Sequence, residues 1–199
     1  MGSAEACPVV LGIGADPGRH GGVALVERRV GLRPLLHAVW ELKGEGRIWF
    51  RRCKVVHENL VFQCRSLGVH PESLLYYVER PPPVSRKGTL KGDKRGQQTW
   101  YGMGRYTGKI EAVWSLLSGG EVVLLDQAKW TSCLHPHVRG HKVGGGVHRV
   151  TEALFLVEGV DHGMSEVSSG CRIDCAEAIL LAVVAANHAS LQVDTTCGG

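Results

Sequence analysis

Val9-Val10-Leu11-Gly12-Ile13-Gly14-Ala15-Asp16-Pro17-Gly18 is the stretch from which the fold can be read. Its apolar run suits a buried strand over Val9 to Ala15, and Asp-Pro-Gly stops it with a turn. An acid placed there ends a strand at the edge of a sheet. Downstream, Gly22 to Glu27 and Leu35 to Leu42 read as two more strands, joined through Arg28 to Pro34. Three consecutive strands with short turns predict an antiparallel meander.

Beyond the meander the period changes. Ile48 to Leu67 carries Phe50, Val55, Leu60, Val61 and Cys64 near helical spacing and is expected to be a helix. Leu74 to Val78 reads as a strand running into Glu79, and Pro81-Pro82-Pro83 forbids its continuation. Ser85 to Gln97 is polar and basic and reads as a mobile loop. Thr99 to Leu117 reads as a helix despite its glycines, Glu121 to Leu125 as a strand and Lys142 to Gly146 as a flexible loop. Val147 to Leu156 reads as an amphipathic helix, and Asp174 to His188 as an alanine-rich apolar helix. The fold class expected is therefore α/β, with a mixed five-stranded sheet, antiparallel strands first and parallel strands after, flanked by helices. Residues 9–188 form one domain in this reading. Residues 1–8 are a tail opening on a cloning remnant, Met1-Gly2-Ser3, and 189–199 a frayed C-terminal tail.

Composition narrows the class. A chain of 199 residues suits one domain and buries roughly 70% of its unfolded surface, so it needs no disulfide or metal scaffold. Its hydrophobic fraction of 44% and charged fraction of 21% are ordinary for a globular chain. No run approaches the roughly 18 apolar residues of a membrane span. The 7 cysteines have no regular spacing and read as reduced thiols. Cys133, His135, His137 and His141 match no standard zinc spacing.

The net charge of +4 is unevenly placed. Between residues 80 and 109, Arg80, Arg86, Lys87, Lys91, Lys94, Arg95, Arg105 and Lys109 face a single acid, Asp93. Between residues 142 and 188, Lys142, Arg149 and Arg172 are outnumbered by Glu152, Glu158, Asp161, Glu166, Asp174 and Glu177. A basic middle and an acidic end in one domain suggest a polyanion held beside carboxylates.

Four acids stand out. Asp16 and Glu79 each end a strand at an abrupt turn. Asp174 and Glu177 are three apart on a helix, where Cβ atoms lie about 5–6 Å apart. Singly, such acids serve turns and helix dipoles. Together they would repel one another unless cations neutralise them. Hard divalent cations such as Mg²⁺ want oxygen ligands, and paired cations in a carboxylate cluster promote phosphodiester cleavage. The basic stretch beginning at Arg80 would bring a phosphate backbone to that point.

At these residues the chain resembles a family. Leu11-Gly12-Ile13-Gly14-Ala15-Asp16-Pro17-Gly18, Val78-Glu79 and Asp174-Cys175-Ala176-Glu177-Ala178 are similar to the RuvC-type Holliday-junction resolvases of the RNase H-like superfamily. Gln98-Thr99-Trp100-Tyr101-Gly102-Met103-Gly104, Lys129-Trp130, His148-Arg149-Val150 and Ala153-Leu154-Phe155 resemble more closely the chloroplast resolvases of plants and algae, the monokaryotic chloroplast proteins. The likeness covers about residues 9–188. It implies an RNase H-like fold and a homodimer that nicks four-way junction DNA symmetrically, leaving ligatable 5′-phosphate and 3′-hydroxyl ends. It also implies a role in DNA recombination and nucleoid segregation, a chloroplast address whose transit peptide lies outside this sequence, and a preference for a pair of cytosines at the cut. By the same match Asp16, Glu79, Asp174 and Glu177 would be both catalytic and ligands of two Mg²⁺ (or Mn²⁺), with Asp16 between them. Glu177 departs from the aspartate usual in bacterial members, a change metal binding tolerates.

Arg80, Arg86, Lys87, Lys91, Lys94 and Arg95 are the candidates for the DNA backbone. Tyr101 is a candidate for stacking on unpaired bases. Lys142 and His148 are candidates for contact with the cleaved phosphate. Trp114 and Trp130 are expected in the core. Two rival functions compete with the nuclease. A non-catalytic junction binder on the same fold gains nothing from clustered carboxylates. A phosphotransferase of the actin and sugar-kinase type needs two such domains and a second glycine-rich phosphate loop, which this length cannot supply.

Overall fold

The computed structural model describes residues 9–18, 20–80, 94–118, 121–138 and 147–196. Five strands, β1 (Val10–Asp16), β2 (His20–Arg28), β3 (Leu35–Lys43), β4 (Leu75–Arg80) and β5 (Glu121–Asp126), form one sheet in the order β3-β2-β1-β4-β5. β1 pairs antiparallel with β2, and β2 antiparallel with β3. β4 lies parallel to both β1 and β5. The mixed sheet and flanking helices agree with the expected fold class. Among the described residues no helix is long and apolar enough to cross a membrane.

The helices are α1 (Gly46–Ser66), α2 (Lys94–Ser118), α3 (Gln127–Val138), α4 (Val147–Leu156), the short α5 (Val160–Gly163) and α6 (Arg172–Thr196). Alternation along the strands sorts two cores. Leu11, Ile13, Ala15, Tyr76 and Val78 face α1 and α2 and pack with Trp49, Leu60, Ile110 and Trp114. Tyr77 faces the opposite core, which is filled by α6 and by Trp130, Ala153 and Val157. Trp114 and Trp130 are buried, as expected.

The residues of closest packing on the α6 side are glycines. A Cβ on Gly12 would lie 2.2 Å from the Ala182 carbonyl oxygen, one on Gly14 2.3 Å from that of Ala178, and one on Gly22 2.6 Å from the Cys175 Cα. The helix main chain therefore rests directly on β1 and β2. Its small residues Ala178, Ala182 and Ala186 are what allow that approach.

Several boundaries differ from expectation. α1 buries Trp49, Cys53, Val56, His57, Leu60 and Cys64, leaving Phe50 50% and Val55 52% exposed. The buried face is thus rotated by about one residue from the one expected, because apolar residues occur all round this helix. α1 ends in a Schellman arrangement: Gly68 has φ +74, and the Val69 N–H donates to the Cys64 carbonyl at 2.9 Å. α2 begins at Lys94, so the segment from Lys94 to Gln97 is helical rather than loop. α6 continues to Thr196, well past His188. α3 matches no element of the sequence reading.

Candidate metal and nuclease site

The parallel register pairs Gly14 with Tyr77 and Ala15 with Val78. One step further, Asp16 comes beside Glu79. By strand alternation Asp16 lies on the same face as Gly12 and Gly14, and Glu79 on the same face as Tyr77. Both acids thus face the helix that rests on those glycines. The first turns of α6 bring Asp174 and Glu177 to the same place. One carboxylate oxygen each from Asp16, Asp174 and Glu177 lies within 4.8 Å of the others. Glu79 is buried next to them, close enough to raise the Asp16 pKa by repulsion.

Neighbouring elements hold the frame. The Trp49 indole N–H donates to the Gly18 carbonyl at 3.1 Å, anchoring the turn after Asp16 to α1. Trp49 meets Tyr106 at 5.2 Å between ring centroids, and the Lys109 ammonium sits over both rings. The Thr107 hydroxyl donates to the Glu79 carbonyl at 3.5 Å.

The electrostatics are those of an overfilled acidic pocket. Burial, then repulsion from Glu79, Asp174 and Glu177, raises the Asp16 carboxyl well above its ordinary range. Burial and repulsion from Glu177 and Asp174 push Glu79 up to about 8, against the lowering effect of Arg149. Burial and Glu177 push Asp174 up to about 6. Glu177 is raised by burial, opposed by Arg149, Asp16 and Gln127. Without added positive charge, such a cluster holds protons. An all-oxygen donor set with this much repulsion suits hard divalent cations.

All four predicted acids thus converge. The structure adds residues the sequence reading missed. The Arg149 Nε donates to Glu177 Oε1 at 3.3 Å, and its Nη1 donates to Glu152 Oε2 at 2.9 Å. The Gln127 amide donates to the same Glu177 oxygen at 3.4 Å. Arg149 was legible in one respect: it stands four residues before the buried Ala153, on the buried face of an amphipathic helix.

The nucleic-acid candidates are placed unevenly. Arg80 directs its Nε and Nη2 to the two carboxylate oxygens of Asp126 at 2.8 and 2.9 Å, a forked pair along the β4–β5 edge. His148 is exposed on the first turn of α4. Lys94, Arg95 and Tyr101 fall on the first turns of α2, with their side chains outside the described set. Arg86, Lys87, Lys91 and Lys142 lie outside the described residues, as does His141 of the Cys133 group. Among the described residues, Cys53, Cys64, Cys133, Cys171 and Cys175 are free thiols.

No family model matches the sequence, and no curated protein matches it. Solved structures do match the fold. Thermus thermophilus RuvC in complex with a Holliday junction substrate superposes with a TM-score of 0.57 at 17% identity, over 92% of this chain and 96% of that one. A second Thermus thermophilus RuvC structure gives 0.52 at 16% identity over the same shares, 92% and 96%. The mixed sheet with its flanking helices is the RNase H-like fold of those structures.

Proposed function

We propose that this chain is a divalent-metal-dependent, structure-selective endonuclease that resolves four-way DNA junctions by paired symmetric nicks. The observation that carries the reading is the convergence of Asp16, Asp174 and Glu177 within 4.8 Å, with Glu79 buried beside them. A fold shared with a RuvC bound to a Holliday junction is the second support.

Asp16, Glu79, Asp174 and Glu177 would hold two divalent cations such as Mg²⁺ or Mn²⁺, which their all-oxygen donors and mutual repulsion suit. Such cations supply neutralisation of phosphate charge and activation of water. The chain's own residues do the rest. β1 and β4 present two acids side by side from a rigid sheet. α6 presents two more from one helical face. Arg149 and Gln127 orient Glu177. The basic residues from Arg80 through Arg95, with Lys142 and His148, are assigned to the DNA backbone, and Tyr101 to stacking on an unpaired base. A homodimer would supply the second site that paired nicks require. The resemblance of residues 98–104 and 148–155 to the chloroplast resolvases favours a role in recombination and nucleoid segregation in that organelle, an address that imaging of a fluorescent fusion in cells would check.

The test is an end-labelled four-way junction incubated with the protein in Mg²⁺ and in chelator. Two symmetric nicks that disappear with chelator are expected. Asp16→Asn should reduce cleavage by at least a hundredfold and leave junction binding within a few-fold of wild type. An Asp16→Asn protein that cuts at the wild-type rate would disprove the site. Tight binding with no cleavage in any divalent cation would favour a non-catalytic junction binder.

A further inference from the structure

We infer that Arg149 and Glu152 form an internally neutralised positioning pair, which fixes the rotation of the Glu177 carboxylate without placing net positive charge beside the metal site. The inference rests on the nuclease reading for its purpose and on the following geometry for its substance.

An arginine is charged at any relevant pH. Arg149 is nearly buried, with its side chain 8% exposed, and a buried guanidinium is costly unless its donors are met. Three partners meet it. Glu152, one helical turn on, takes Nη1 at 2.9 Å; Glu177 takes Nε at 3.3 Å; and the Trp130 ring lies 5.0 Å from the guanidinium carbon, within cation–π range. These contacts come from three helices, α3, α4 and α6, and fix the guanidinium plane. Gln127, at the start of α3, donates to the same Glu177 oxygen. Two donors converging on one oxygen set where the other points.

A bare arginine here would work against cation binding by direct repulsion. Glu152 removes that conflict: its carboxylate, 2.9 Å from Nη1, offsets the charge of Arg149 through a different nitrogen from the one that holds Glu177. A pair of zero net charge can orient a ligand that must still receive a divalent cation. A role confined to knitting α4 onto α6 would also call for an acid beside the buried arginine, but not for the convergence of Arg149 and Gln127 on one Glu177 oxygen.

The inference is tested by Mn²⁺ titration followed by electron paramagnetic resonance on the DNA-free protein, alongside Tm in chelator. R149K keeps the charge and loses the planar guanidinium that reaches Glu152 and Glu177 together. It should raise the Mn²⁺ half-saturation about tenfold. E152Q keeps the guanidinium of Arg149 and uncovers its charge. It should raise half-saturation several-fold, most strongly at low ionic strength. The double variant R149M/E152Q removes both charges together and is expected to stay folded. It should keep a near-wild-type Tm in chelator and still bind Mn²⁺ about tenfold more weakly. A folded double variant, or R149K, that binds Mn²⁺ within twofold of wild type overturns the inference and leaves the nuclease reading standing. A wild-type protein that binds no Mn²⁺ overturns both. Junction cleavage by wild type, measured separately, tests the nuclease reading alone.

Discussion

Glu79 shows what single residues contribute and what they cost. Its carboxyl is pushed up from an ordinary 4.5 to about 8, chiefly by burial. In the folded, metal-free protein it therefore keeps a proton that the unfolded chain releases above its ordinary value. A folded state that binds more protons is favoured at low pH and loses that advantage as pH rises through the folded value. Asp174 acts in the same direction over a lower range, up to about 6. The stability of the protein in chelator is therefore expected to fall between about pH 5 and pH 8, with Asp16 and Glu177, whose carboxyls are raised as well, adding to Glu79 and Asp174 in the same direction, by an amount on the order of a few kcal/mol. Divalent cations should flatten the profile, and Glu79→Gln should lessen the fall in chelator without abolishing it, since Asp16, Asp174 and Glu177 remain. Thermal melts across that pH range are the check, and a Tm that held or rose towards pH 8 would contradict it. The four acids were legible in the sequence because turn signals or helical spacing mark each one. The roles of Arg149 and Gln127 were not, because they depend on how α3 and α4 dock; the local pattern marks only the place of Arg149 on the buried face of α4.

At the scale of elements, the packing of β1 on α6 decides the site. The prediction is for Gly14→Ala. Its added Cβ would lie 2.3 Å from a main-chain oxygen, and no rotamer can relieve that. Overpacking of this kind costs about 1–3 kcal/mol and sometimes more. Tm should drop by several degrees. Because Asp174 and Glu177 ride on the displaced helix, divalent-cation affinity should fall further than Tm alone would suggest. An unchanged Tm would mean the helix can shift at no cost. The strand of Gly14 was legible from its apolar run and closing turn. The phase of α1 was not, since Trp49 and Val56 are neighbours of Phe50 and Val55 and the local pattern does not choose between the two faces. The start of α2 at Lys94 was hidden in a polar, glycine-bearing stretch, where helix propensity is low and context decides. The far end of α6 was equally hidden, because the residues after His188 lack the apolar periodicity that the earlier part shows.

For the whole molecule the relevant quantity is the division of charge. In the sequence the basic residues between 80 and 109 follow directly on Glu79, while the other acids of the pocket come from β1 and α6, so in the proposed function DNA attraction and cation attraction are assigned to different stretches of the chain. Neutralising Lys91, Lys94 and Arg95 together should weaken junction binding and lower the magnitude of its log–log salt slope by roughly 2–3, about 0.9 for each phosphate no longer neutralised. Binding titrations from about 50 to about 200 mM salt would read this. An unchanged slope would remove these residues from the DNA path. The overall topology was legible because a meander followed by strand–helix alternation leaves few arrangements. The pairing order was not read from the sequence: that β1 lies between β2 and β4 is fixed by long-range pairing, antiparallel on one side and parallel on the other.

The glycines beneath α6 carry one more consequence. Because main chain meets main chain there, the gap between the two pairs of acids is gauged by peptide geometry rather than by adjustable side chains. Surface segments can then change sequence freely, while the distance on which the proposed metal site depends stays as constant as the width of a peptide unit.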